Sequence, residues 1–135
     1  MQTRTVSIVG FINSQNQILL QDRRTISKSK KWEERWFFGW WLEEWETKEQ
    51  ALEREIYEEL WFHIKDYKYL WETQADYGDL FVNIHIFVWW LDDISNLVLN
   101  EWAWMQFFSF DEAFNLKKAK SDNEVLQIIK NSLNK

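Results

Sequence analysis

The chain has 135 residues, 16 Lys or Arg against 22 Asp or Glu, and a formal net charge of -6. This length fits one domain, 1–135, and 46% hydrophobic with 28% charged residues is a globular composition rather than a disordered or collagen-like one. Zero cysteines exclude a disulfide framework, a cysteine nucleophile and thiolate metal sites, while the acidic balance argues against binding along a nucleic-acid duplex.

Thr5 to Ile12 is β-rich, Asn13-Ser14-Gln15-Asn16 is a polar turn, and Gln17 to Gln21 is apolar again, which predicts a hairpin. Asp22 to Arg35 is a basic, loop-like stretch in an acidic protein, readable as solvated charge or as a phosphate-facing loop. Thr47 and Gln50 have the spacing of a capping box, and good helix formers run on to Leu60. Ile64 to Trp71 and Leu80 to Trp90 read as strands, Met105 to Phe110 as another, and Asp111 to Phe114 as a short helical turn. Ser121 and Glu124 repeat the capping-box spacing before a C-terminal helix with Val125, Leu126, Ile128, Ile129 and Leu133 at helical intervals. Strands with helices between and after them give a mixed α/β domain. The longest apolar run, Ile86 to Leu91, is far short of the roughly 18 residues of a membrane span. The opening Met1-Gln2-Thr3-Arg4 leads into no signal-peptide core, so a cytoplasmic location is expected.

The central helix groups three carboxylates. At about 100° per residue, Leu52, Ile56 and Leu60 form one stripe, and Glu55, Glu58 and Glu59 group beside it. Like charges at these spacings repel by about 0.2–0.5 kcal/mol per pair, a sign that a divalent cation would reverse. A solvated glutamate face is the plainer alternative, and spacing alone does not decide between them.

The wider segment Gly39 to Phe62, GWWLEEWETKEQALEREIYEELWF, resembles the signature of the Nudix hydrolases, with Glu46, Arg54, Glu55, Ile56, Glu58 and Glu59 in register. Leu19 to Arg24, Phe37-Phe38-Gly39 and Met105 to Glu112 are similar to the family more weakly. The resemblance implies an α/β/α sandwich with a mixed sheet and a carboxylate-bearing box helix, holding Mg2+ or Mn2+ and hydrolysing a nucleoside diphosphate linked to another group. By position it makes Glu55, Glu58 and Glu59 metal ligands and Arg54 and Glu46 the charge pair that braces the box. It makes Glu101 the nearest candidate for a further acidic residue, and Arg23 or Arg24 a contact to phosphate or nucleotide. Gly39, Trp40 and Trp41 would border the substrate. Chemically this is coherent: pyrophosphate hydrolysis needs charge neutralised on the phosphate oxygens and a water activated, with a carboxylate to take the proton.

The chain departs from that family pattern at its turns. It has eleven tryptophans, three glycines and no proline, and Trp40, Trp45 and Trp61 stand at box positions where the family has glycine. That pattern fits an engineered or otherwise heavily altered relative in which turn residues became tryptophan. If those glycines adopt positive φ, each tryptophan costs about 1–2 kcal/mol, so remodelled loops are expected, above all at Trp61, where the helix would shift or lengthen. His85 reads as a strand histidine with a satisfied partner and His63 as a helix cap. A metal-dependent pyrophosphohydrolase acting on a small-molecule nucleotide, as a monomer or homodimer, is therefore the leading reading. The alternatives are a folded but catalytically impaired scaffold and an aromatic-rich, self-associating module.

Overall fold

The structure is a computed structural model describing residues 2–22, 35–94, 97, 104–116 and 122–133. Its centre is β1 (Gln2–Ile12), an eleven-residue strand whose even positions Val6, Ile8 and Ile12 face one side and whose odd positions Val9 and Phe11 face the other. Alternation of this kind, apolar on both faces, requires cover on both faces. Along one edge β1 runs parallel to β6 (Leu80–Trp90), from Gln2 against Leu80 to Ile12 against Trp90. Its other edge is divided, with β4 (Phe38–Trp41) pairing antiparallel along Val6 to Val9 and β2 (Ile18–Asp22) along Phe11 and Ile12. Outside these lie β3 (Arg35–Trp36) and β7 (Trp104–Phe108) on β2, and β5 (Lys68–Asp76) on β6. All pairings other than β1 with β6 are antiparallel, so the sheet is mixed.

Helix α1 (Lys48–Leu60) covers one face, burying Leu52, Ile56 and Leu60 against Val9, Phe11, Leu19, Phe38 and Phe87. On the opposite face α2 (Phe110–Phe114) and α3 (Asp122–Ser132) set Ala113, Val125, Leu126 and Ile129 against Ile8, Ile12, Ile84 and Ile86. The result is the α/β/α sandwich that the family resemblance implied. No helix among the described residues is long and apolar enough to cross a membrane.

Local rules account for most boundaries. The Thr47 side chain accepts from the Gln50 N–H while the Gln50 side chain accepts from the Thr47 N–H, closing the capping box that starts α1. The hairpin turn is held by Asn13, whose side-chain oxygen accepts from the N–H groups of Gln15 and Gln17, with Asn16 at φ 57°.

Three expectations are corrected, and two strands are added. The strand expected over 64–71 runs instead over Lys68–Asp76, because Asp66 turns the chain at φ 59° and buried Ile64 packs under α1. Strands β3 and β4 were not foreseen. The helical turn expected at 111 begins one residue earlier, at Phe110, capped by reciprocal bonds between Ser109 and Glu112. Finally, α1 neither shifts nor lengthens at Trp61: the helix stops at Leu60, and Trp61 takes the left-handed conformation itself, φ 52° and ψ 40°, donating its N–H to the Tyr57 carbonyl. The Ser121 cap lies outside the described residues.

Candidate functional site

Helix α1 passes over β4 and β1, with Gln21 of β2 reaching its C-terminal half through Glu59. Contact between α1 and the sheet leaves Arg54, Glu55, Glu58 and Glu59 beside the buried stripe, facing the 42–46 loop and β4. Arg54 organises one side of this cluster. Its Nε and Nη2 donate to the two oxygens of Glu46 at 2.7 and 2.8 Å, Nη2 also to the Trp41 carbonyl at 3.2 Å, and Nη1 to Glu55 at 2.7 Å and Glu58 at 3.4 Å. A guanidinium has five N–H donors, and each has an acceptor here. Glu46, whose side chain is 1% exposed, also accepts from the Glu43 N–H at 2.8 Å. The Arg54 hydrogen bond is the main reason that the Glu46 carboxyl lies below the usual carboxylate range, and the Glu46 hydrogen bond in turn raises Arg54. Burial pushes the Glu55 carboxyl up, with the Arg54 hydrogen bond opposing.

Glu59 faces a different set of donors. One carboxylate oxygen accepts from the Gly39 N–H at 2.8 Å, the other from Gln21 Nε2 at 2.9 Å. The Gly39 backbone lies so close to β1 that a Cβ there would stand 2.1 Å from the Ser7 carbonyl oxygen, and its φ of +120° suits glycine alone. That close approach aims the Gly39 N–H at the helix.

The three box carboxylates do not converge as their helical spacing suggested. Among the described residues no group of three or more His, Cys, Asp or Glu side chains stands close enough to hold a metal ion. Helical spacing set them on one flank; hydrogen bonding then drew Glu55 and Glu58 to one guanidinium nitrogen and Glu59 to β4 and β2. The donor chemistry nevertheless fits a hard dication. All the candidate ligand atoms are carboxylate oxygens, and among the described residues of this cluster four carboxylates, Glu46, Glu55, Glu58 and Glu59, stand with one cation, Arg54, so negative charge is in excess there. Glu58, with its side chain 58% exposed, is the most solvent-accessible of the three box carboxylates.

The model of the NUDIX domain matches residues 1–127. The chain belongs to the Nudix family. Among solved structures, this Nudix protein is similar to the E. coli ORF135 protein, with 25% identity over 96% of this chain and 89% of that one and a TM-score of 0.75. It is also similar in fold to the MutT protein from Methanosarcina mazei Go1, at 14% identity over 99% and 96% of the two chains and a TM-score of 0.78. A MutT Nudix hydrolase from Burkholderia pseudomallei gives 16% identity, coverage of 96% and 99%, and a TM-score of 0.75. No curated protein matches the sequence. The chain is thus a Nudix protein whose fold is similar to that of MutT structures.

Of the residues singled out in the sequence, Glu46, Arg54, Glu55, Glu58, Glu59 and Gly39 come together in this cluster. Trp41 joins it through its carbonyl, whereas its ring lies under the Arg4 guanidinium, 4.4 Å from the centroid, and packs on the core. The Trp40 ring tilts against Trp41 at 5.1 Å. Arg23, Arg24 and Glu101 lie outside the described residues. At the family's glycine positions the tryptophans behave differently: Trp61 alone of the three has positive φ, while Trp45 is 72% exposed on an ordinary backbone. His85 sits 3.0 Å from the Tyr69 hydroxyl, and His63 stacks on Tyr57 rather than capping α1. Sequence reasoning missed Gln21. The available signal was parity: in Ile18-Leu19-Leu20-Gln21, the glutamine shares the α1-facing side with buried Leu19, so a polar group there needs a partner.

Proposed function

We propose that this Nudix protein is a divalent-metal-dependent pyrophosphohydrolase that cleaves a nucleoside diphosphate linked to another group, a nucleoside triphosphate or related nucleotide, in the cytoplasm. The observation that supports this reading most is the charge arrangement: Glu55 and Glu58 on Arg54, and Glu59 on the Gly39 amide, with negative charge in excess among the described residues. Glu55, Glu58 and Glu59 would hold Mg2+, with Mn2+ as an alternative. The metal, when bound, neutralises phosphate charge and lowers the pKa of coordinated water. The protein's own part is preorganisation. Glu46 fixes Arg54 with two parallel hydrogen bonds, and Arg54 holds the neighbouring carboxylates on the helix flank. Gly39 lets β4 approach β1 closely enough to present its N–H to Glu59. Arg23 or Arg24 would meet phosphate or nucleotide, Trp40 and Trp41 would border the nucleotide, and Glu101 would add a carboxylate from a later segment.

One observation favours a second reading, a folded but catalytically impaired scaffold: the described residues hold no group of three His, Cys, Asp or Glu side chains placed to bind a metal ion, and the box carries tryptophan where the family has glycine. Incubation with Mg2+ and a panel of nucleoside triphosphates, dinucleoside polyphosphates and nucleotide sugars, following phosphate release, decides between them. Turnover supports the hydrolase; metal binding without turnover of any panel member supports the scaffold.

A further inference from the structure

Strand β5 lies at the edge of the sheet: β6 flanks it on one side, and among the described residues no strand flanks it on the other. Which of its main-chain groups face outward follows from one bond. At the turn into β6 the Tyr77 N–H donates to the Leu80 carbonyl at 2.9 Å, so these two residues form a hydrogen-bonded pair. Antiparallel pairing alternates, which directs the N–H and C=O groups of Ala75 and Thr73 to β6 and those of Asp76, Gln74 and Glu72 away from it. A nine-residue edge with such groups in a row is a template for another strand. Its side chains reach solvent as well: Trp71 is 65% exposed, and Lys68, Tyr69, Glu72, Gln74 and Asp76 are exposed with it.

We infer that β5 is a homodimer interface, pairing antiparallel with β5 of a second copy about a two-fold axis at Thr73. The strand's own charges select this partner and this register. Centred on Glu72, the pairing would oppose Glu72 to itself; centred on Gln74, it would set Glu72 against Asp76 of the second copy. Like charges directly opposite each other disfavour both. Centred on Trp71, it would place the bulge between Tyr69 and Trp71 at the axis, and centred on Ala75 it would carry Trp71 past the end of the opposing strand. Centred on Thr73, Glu72 pairs with Gln74 of the second copy on each side of the axis, through outward main-chain groups on both strands. Each carboxylate then meets a side-chain amide that can donate to it. Trp71 stands opposite Ala75 of the second copy, on the face where Thr73 bonds Glu124 of α3. The same patch serves both copies, as a closed two-fold pair requires, and pairing covers both edges at once.

The test is sedimentation velocity of the full chain over a concentration series, joined to amide hydrogen exchange by NMR. Wild type should sediment as a dimer that dissociates on dilution, with the Glu72 and Gln74 amides protected in the dimer. Gln74→Glu sets a carboxylate against Glu72 on both sides of the axis, and should weaken dimerisation about tenfold or more and release those two amides. Gln74→Lys sets an ammonium there and should strengthen the dimer. Gln15→Glu, the same charge change in the exposed turn after β1, should leave both readings at wild-type values. The Thr73 and Ala75 amides, bonded to β6, should stay protected in every variant, which shows that β5 itself remains folded. Three results overturn the inference: a wild type that is monomeric at NMR concentration, a dimer whose Glu72 and Gln74 amides exchange freely, or an equal response to Gln15→Glu.

Discussion

The end of α1 offers a measurement of backbone handedness that is independent of side-chain chemistry. Trp61 sits at φ 52° and ψ 40° with its side chain 65% exposed, so both Trp61→Gly and Trp61→Ala delete the same indole. They differ only in Cβ. In the left-handed region an L residue carries about 1–2 kcal/mol of steric cost that glycine escapes, while glycine loses about 0.5–1 kcal/mol more backbone entropy on folding. The balance favours Trp61→Gly over Trp61→Ala by about 0.5–1 kcal/mol, or about 2–5 °C in Tm for a chain of this length. Glu53, exposed within α1, supplies the opposite sign: there alanine should beat glycine by about 1 kcal/mol. Urea denaturation of the four variants reads both differences. If Trp61→Ala equals or exceeds Trp61→Gly in stability, the left-handed termination of α1 is wrong.

Further outcomes follow from the same geometry. Gly39→Ala should destabilise by about 2–4 kcal/mol in urea denaturation, since its Cβ would stand 2.1 Å from the Ser7 carbonyl oxygen and neither backbone can yield cheaply. Glu46→Gln should cost about 1–3 kcal/mol by leaving the Arg54 fork half-paired. Because Glu46 is held below its ordinary value of 4.5, its contribution is full above that pH and fades as pH falls towards the lower folded value. The Tm gap between wild type and Glu46→Gln should accordingly close on acidification below pH 4.5. Arg54→Lys keeps the charge but cannot reproduce five donors, so turnover should fall even where the protein remains folded by circular dichroism. Chelation with EDTA should abolish turnover, and added Mg2+ should restore it.

How far the sequence disclosed this arrangement depended on whether the determining groups were side chains or main chain. Helix α1 was legible at both ends of its body because a reciprocal cap, Thr47 with Gln50, precedes a stripe of Leu52, Ile56 and Leu60. Strand β6 was legible to the residue through its long β-rich run. By contrast β4 consists of Phe38-Gly39-Trp40-Trp41, with a positive-φ glycine and no alternation, and nothing local marks it as a strand. It exists because β1 offers an edge along Val6 to Val9. The site divides in the same way. Charged members of the box were visible as a pattern, but their partition between Arg54 and Gly39 was not, since the deciding acceptor and donor are the Trp41 carbonyl and the Gly39 amide. Main-chain atoms have no signature in composition or spacing.

The hydrolase account is tested most directly by kcat/KM with Mg2+ for wild type, Glu58→Gln and Glu44→Gln on whichever nucleotide the wild type turns over. Glu44 is an exposed carboxylate of the 42–46 loop that belongs to neither hydrogen-bonded group. Removal of a functional carboxylate at position 58 should lower kcat/KM by about 10²-fold or more, with Glu44→Gln unchanged. Equal effects of the two substitutions, or turnover that persists without metal, would contradict it.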